Sequence, residues 1–156
     1  YAPLGAVALR AGLAERFADE TLWCGLTGYA HPISCAAALA AIEVYEQDGL
    51  VERAAALGPY LQAGLRRLRA KHPIIGDTRG RGLFATLELG GERPLQDFDD
   101  PPHPVMERLK AGLRARRLHI CVRWSYVFVA PPLCITEAQL DEGLGLIDEA
   151  LTEATQ

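Results

Sequence analysis

The sequence carries no excess of positive charge, no closely spaced cysteines, no histidine pair and no long apolar run, and each gap removes a class of function. Sixteen Lys and Arg stand against twenty Asp and Glu, a formal net charge of -4, whereas a dedicated nucleic-acid binder usually shows a basic stripe. The one basic cluster, Arg66, Arg67, Arg69 and Lys71, falls on an expected helix and reads as a solvated face. Cys24, Cys35, Cys121 and Cys134 make no CxxC pair and no metal-ligand spacing. Free thiols in a reducing cytosol are therefore expected. No stretch of about eighteen apolar residues exists to cross a bilayer. The opening YAPLGAVALR has neither the charged start nor the apolar core of a signal peptide. The histidines offer no pair at ligand spacing, no GxSxG elbow is present, and no acid–base dyad can be argued.

What is present is ordinary globular material: 156 residues, 49% apolar and 23% charged, enough for a domain with a real core. Residues 3–8, PLGAVA, form a short apolar run between turn formers and suggest a buried strand. A lone strand needs partners, and nothing local supplies one, so its partners are expected in chain or subunit beyond this sequence. Residues 10–18 suggest a short helix and 21–31 an irregular, Gly-punctuated loop. Pro32 suits the first turn of a helix running to about Gln47. Asp48-Gly49 breaks it, and a second helix follows from Leu50 to about Ala70. Leu50, Val51, Ala54, Leu57, Leu61, Leu65 and Leu68 recur every three or four residues there, a stripe facing a core. His72-Pro73 stops it.

Beyond that stop, IIGDTRGRG reads as a turn leading into a strand in which Leu83, Ala85, Leu87 and Leu89 alternate with Phe84, Thr86 and Glu88. Residues 90–104, GGERPLQDFDDPPHP, have little to bury and suggest an exposed loop. A helix over about 105–117 is followed by two apolar runs close enough to pair as a hairpin. Thr136 with Gln139 forms a capping box for a last amphipathic helix to about Glu153. The order β, α, β, β, α over 72–156 suggests a small α+β domain.

Three segments could carry chemistry. Thr27 offers a hydroxyl between Gly25 and Gly28, a few residues before the N-terminus of the Pro32 helix. Such ground can hold a phosphate, and it can equally be a turn that merely starts the helix. Ala36-Ala37-Ala38 lets that helix sit tightly on its neighbours. RGRG at 79–82 fits a tight turn better than an anion nest. Arg123 stands at the tip of the expected hairpin beside Trp124 and Tyr126, where it could fork onto a carboxylate or lie stacked on an aromatic ring.

Four separate stretches, YAPLGAV, LTGYAHPISCAAALAAIEV, LVERAAALGPYLQAGLRRLRAKHPIIGDTRGRGL and FVAPPLCITEAQLDEGLGLIDEAL, are together similar to the C-terminal part of class III aminotransferases. These are pyridoxal-phosphate enzymes acting on ω-amino acids and amines. The likeness is colinear over nearly the whole chain. It implies an α/β architecture, the C-terminal portion of a fold type I transferase. Residues 1–47 would be the end of the large cofactor-binding domain, 48–71 a linking helix and 72–156 the small C-terminal α+β domain. Thr27 matches the residue that contacts the cofactor phosphate of the neighbouring subunit, which implies a homodimer with a shared active site. Arg123 lies close to the place of an arginine that swings in to bind a keto-acid carboxylate.

Three departures accompany the likeness. The arginine that relatives handling α-amino acids carry shortly before PPL is absent; that strand reads Val127-Phe128-Val129-Ala130, which favours an amine or ω-amino acid donor and a keto acid such as pyruvate. The interval from Arg123 to Pro131 is also shorter than in the family's motif. The Schiff-base lysine of the family falls a few residues before YAPLGA, upstream of Tyr1, so the 156 residues alone are expected to be inactive. The other expectation is a non-catalytic α+β module, kept from such an enzyme for interaction or small-molecule sensing.

Overall fold

The computed structural model describes residues 2–91 and 93–156. The chain divides into two compact units, Tyr1–Gly49 and Leu50–Gln156.

In the first unit, Ala11–Ala14 form a single helical turn, α1, continued by a 3-10 turn over Glu15–Phe17. Helix α2 spans Pro32–Gln47, with Pro32 in its first turn where the missing N–H leaves no bond unmade. It ends where expected: Asp48 donates back to the carbonyl of Val44 and Gly49 takes φ +55, the left-handed conformation that glycine adopts without penalty. The strand expected over residues 3–8 is not formed; those residues are irregular and exposed. A strand exists through its neighbour's hydrogen bonds, and the described residues of this unit contain no second strand to provide them.

The second unit closes a core of its own. Helix α3, Leu50–Lys71, buries Leu57, Leu61, Leu65 and Leu68 along the expected stripe. Val51, counted in that stripe, is exposed; at the first turn the helix has not yet met the sheet. Strands β1 (Ile75–Arg81), β2 (Phe84–Leu89), β3 (Cys121–Arg123) and β4 (Tyr126–Val129) form one antiparallel sheet in the order β1-β2-β4-β3. Helix α4 (Pro104–Ala115) separates the two hairpins and α5 (Glu137–Ala154) completes the chain. Leu83, Ala85, Leu87 and Leu89 face inward together with Val127 and Val129, as the period of two requires. They share one core with Met106, Leu109 and Leu113 of α4 and with Leu140, Leu144, Ile147 and Leu151 of α5. Each of these leucine, isoleucine, valine and methionine side chains contributes about 1.5–3 kcal/mol by leaving water.

Strand β1 was not expected, and the order of elements is therefore β, β, α, β, β, α. Its sequence, IGDTRGR, has no apolar alternation because only Ile75 reaches the core. Backbone pairing to β2 makes it a strand, with a register shift between Ile75 and Asp77. RGRG is accordingly not a turn throughout: Arg79, Gly80 and Arg81 belong to β1, and the turn is confined to Gly82-Leu83. At this turn α3 comes very close. A Cβ on Gly58 would lie 2.9 Å from the Cα of Gly82, so Gly58 has no room for a side chain, while Gly82 needs glycine for its φ of +55.

The ends of α5 are held by named bonds. The Thr136 hydroxyl accepts from the backbone of Gln139 at 3.2 Å, and the Gln139 side chain accepts from the Thr136 N–H at 3.0 Å, the expected capping box. Arg53 of α3 donates to the carbonyl of Ile135 at 2.5 Å, just before the cap. At the other end Arg108 donates to the carbonyl of Ala154, and Arg116 forks onto Glu149 and Glu153.

Candidate functional site

The two expected site residues lie in different units. Thr27 opens a turn in which Tyr29 donates to the carbonyl of Leu26 at 2.9 Å and His31 to that of Gly28 at 3.3 Å. Ala30 adopts φ +50, which tightens the chain just ahead of α2. Thr27, Gly25 and Gly28 are exposed, and a Cβ on either glycine would meet nothing within 4 Å. The N-cap of α2, His31, makes no side-chain bond to the helix, so the backbone donors of the first turn have no side-chain cap. A hydroxyl, open glycines and an uncapped helix N-terminus match an anion's needs.

Arg123 sits where the hairpin reading put it, at the end of β3, with Trp124-Ser125 making the turn into β4. Register defines its neighbours. Arg123 is opposite Tyr126, Cys121 opposite Phe128, Thr86 also opposite Phe128, and Glu88 also opposite Tyr126. Paired residues share a face, so Arg123, Tyr126, Phe128 and Glu88 belong to the face turned away from the helices. Arg79 lies there too, and it is saturated: it donates to Asp77 and Glu88, both at 2.7 Å, with its guanidinium 5.8 Å from the Tyr126 ring centroid. The hydrogen bonds to Glu88 and Asp77 raise its already high pKa, and the Arg79 bond lowers that of Asp77. Arg123 has no carboxylate within ion-pairing distance among the described residues. Its guanidinium lies 4.3 Å from the centroid of the Trp124 ring instead.

Because β3 is an edge strand, Arg123 and Trp124 also border an open cavity of about 730 Å³ that reaches round that edge to α5; its wall is mainly apolar, with Phe128, Pro131, Ile135 and Leu144 among its residues. A cation free of carboxylates at the rim of an apolar hollow can fix one end of an acid while the rest fills the hollow.

Both lysines are engaged in ion pairs. Lys71 pairs with Asp148 at 2.5 Å and Lys110 with Glu107 at 2.7 Å, both as helix-surface ion pairs.

Sequence reasoning missed the loop that supports the hairpin. Residues 90–104 were expected to be exposed, yet Gln96 is buried and its backbone N–H donates to the Ser125 hydroxyl at 2.7 Å, while that hydroxyl donates to the Gln96 carbonyl at 2.9 Å. One buried serine satisfies both backbone groups of Gln96, which a polar, Pro-rich segment gives no apolar periodicity to reveal.

Comparison with known proteins settles the class. A taurine:2-oxoglutarate aminotransferase from Bifidobacterium kashiwanohense, solved in complex with PLP and glutamate, superposes with a TM-score of 0.83 at 30% identity over 90% of this chain and 32% of its own. An omega-aminotransferase from Paracoccus denitrificans gives 0.77 at 33% identity over 92% and 32%. The fold is therefore the C-terminal portion of the fold type I PLP-dependent transferases. The family profile for class III aminotransferases matches residues 2–151, and the chain belongs to that family. Among curated relatives, the 5-aminovalerate aminotransferase DavT of Pseudomonas aeruginosa is 36% identical over 97% of this chain and 35% of its own length. The 4-aminobutyrate aminotransferase GabT of Escherichia coli K12 is 34% identical over 99% and 36%. The chain spans about a third of the length of these relatives.

Proposed function

We propose that this chain is part of a transaminase that uses pyridoxal phosphate to move an amino group from an amine or ω-amino acid to a keto acid such as pyruvate. Bound at the site, the cofactor would supply the electron sink that such a transfer needs. The chain's own contribution is recognition. Arg123 carries the reading: it has no carboxylate neighbour among the described residues, at the edge of an apolar cavity, where a substrate carboxylate can supply its counter-charge. Thr27 would donate its hydroxyl to the cofactor phosphate of the neighbouring subunit in a homodimer. Residues 1–47 would then serve the large cofactor-binding domain, 48–71 the link and 72–156 the small domain.

The donor class has two supports. The relatives named above act, by their names, on 5-aminovalerate, 4-aminobutyrate and taurine, none of which bears its amine on the carbon bonded to the acid group. The strand before Pro131-Pro132, Val127-Phe128-Val129-Ala130, carries no arginine for a second clamp, and the Phe128 ring lies 6.1 Å from that of Tyr126 between centroids. The full-length protein tests the proposal. Arg123→Ala should raise KM for pyruvate roughly 10- to 150-fold, the size of a lost charged hydrogen-bond pair, while leaving amines without a carboxylate unaffected. Equal slowing of both half-reactions, or of neither, would show that the carboxylate is held elsewhere.

A further inference from the structure

The hairpin tip contains a residue whose backbone conformation is costly. Trp124 adopts φ +50, a region where bulky side chains are rarely found and which usually survives only when surrounding structure forces it. The surroundings here are specific. Ser125, fully buried, is clamped by the two hydrogen bonds to Gln96, and its carbonyl accepts from the N–H of Leu89 at 2.8 Å. Gln96 is itself fixed by its side-chain oxygen, which accepts from the His103 N–H at 3.1 Å. The Trp124 ring packs against Phe98, with centroids 5.4 Å apart and planes tilted by 50°. Its other partner is the Arg123 guanidinium at 4.3 Å. Three elements thus converge to hold one ring beside the one cation of this hairpin.

From this arrangement we infer that Trp124 is a positioning residue, a resting platform on which Arg123 lies when no carboxylate is present, and that Ser125 and Gln96 hold the platform in place. The inference rests on the proposed role of Arg123. An exposed cation–π contact is weak enough for a carboxylate to outcompete and strong enough to keep the charge out of the apolar cavity when a carboxylate-free amine occupies it. The ring, and not only the arginine, would then decide how well one site serves two unlike substrates.

The expected signature is a split of opposite sign. Trp124→Asn keeps a residue that tolerates the left-handed turn but removes the ring. KM for an arylalkyl amine should rise about two- to fivefold, the size of one exposed cation–π contact. KM for pyruvate should stay level or fall, with kcat unchanged. Trp124→Phe, which retains a ring, should restore amine binding, and Ser125→Ala, which loosens the turn, should behave like Trp124→Asn.

A direct reading comes from the full-length, cofactor-loaded protein labelled with 5-fluorotryptophan, the Trp124 resonance being assigned by its loss in Trp124→Phe. Pyruvate should shift that resonance, the amine should not, and Arg123→Ala should abolish the response. If Arg123→Ala raises KM for pyruvate but the Trp124 resonance ignores pyruvate, or Trp124→Asn moves both KM values together, the platform is refuted and the proposed function stands. If Arg123→Ala leaves KM for pyruvate unchanged, the proposed role of Arg123 falls and the platform with it.

Discussion

The two units are built from the same kinds of residue and use them in opposite ways. Helix α2 holds Ile33, Leu39, Ile42, Val44 and Tyr45, all exposed, and buries nothing. In the loops of the same unit, Trp23 is 93% exposed. Helix α3, no richer in apolar residues, places four leucines in a closed core. Apolar content alone therefore does not make a core. The second unit has a sheet with one face covered by helices, so its inward side chains find partners; the first, among its described residues, has turns, α1 and α2 but no strand of its own.

The sharpest way to break this comparison is to separate the units. Residues 50–156, expressed alone, should unfold cooperatively in urea and show protected amides in α5 and β2, while residues 1–49 alone should give the circular dichroism of a largely unfolded chain. Cooperative melting of the 1–49 piece would refute the contrast. Next in size is core truncation. Ile147→Ala should cost about 2–5 kcal/mol in denaturant titrations of residues 50–156, whereas Ile42→Ala, on α2, should change the stability of the 156-residue chain by less than about 0.5 kcal/mol.

Smaller effects follow at the supports. Gly58→Ala should cost about 1–3 kcal/mol as an overpacking change, because the added Cβ meets backbone and not a movable side chain. The smallest effect is pH-dependent. The Asp148 carboxyl is held below its ordinary value of 3.8, first by the Lys71 hydrogen bond and also by His72, whose ring nitrogen lies 2.5 Å away. A depressed carboxylate contributes stability that is present above the unfolded pKa and lost as pH falls through the folded one. Stability of residues 50–156 should thus decline as pH drops below about 4, and Asp148→Asn should flatten that decline. An unchanged acid slope in the variant would remove Asp148 from the account.

The parts of the fold visible in the sequence were those where a periodic apolar pattern and a terminal signal agree: α3 with its leucine stripe and His72-Pro73 stop, β2 with its alternation, α5 with Thr136 and Gln139. Strand β1 was invisible because its stability comes from backbone pairing with β2, and pairing leaves no mark on side-chain periodicity. The same holds at the candidate site. Arg123 could be placed at a hairpin tip from two flanking apolar runs, and both readings of it, carboxylate fork and stacked arginine, were open from the neighbouring rings. The burial of Ser125 and its bonds to the backbone of Gln96 were not legible, since they join two polar segments 29 residues apart. Thr27 was legible only as a local turn, because an exposed hydroxyl gains meaning from what approaches it.

The bare contact between Gly58 and Gly82 acts on α3 like a locating pin in a machined joint. An α-helix advances 1.5 Å and turns about 100° per residue, so a slip by one residue would drive Leu57 or Pro59 into the backbone of the β1–β2 turn. Rolling and sliding are therefore both blocked at a single point. At this point the height of α3 above the β1–β2 turn is set by Gly58, a position that carries no side chain at all.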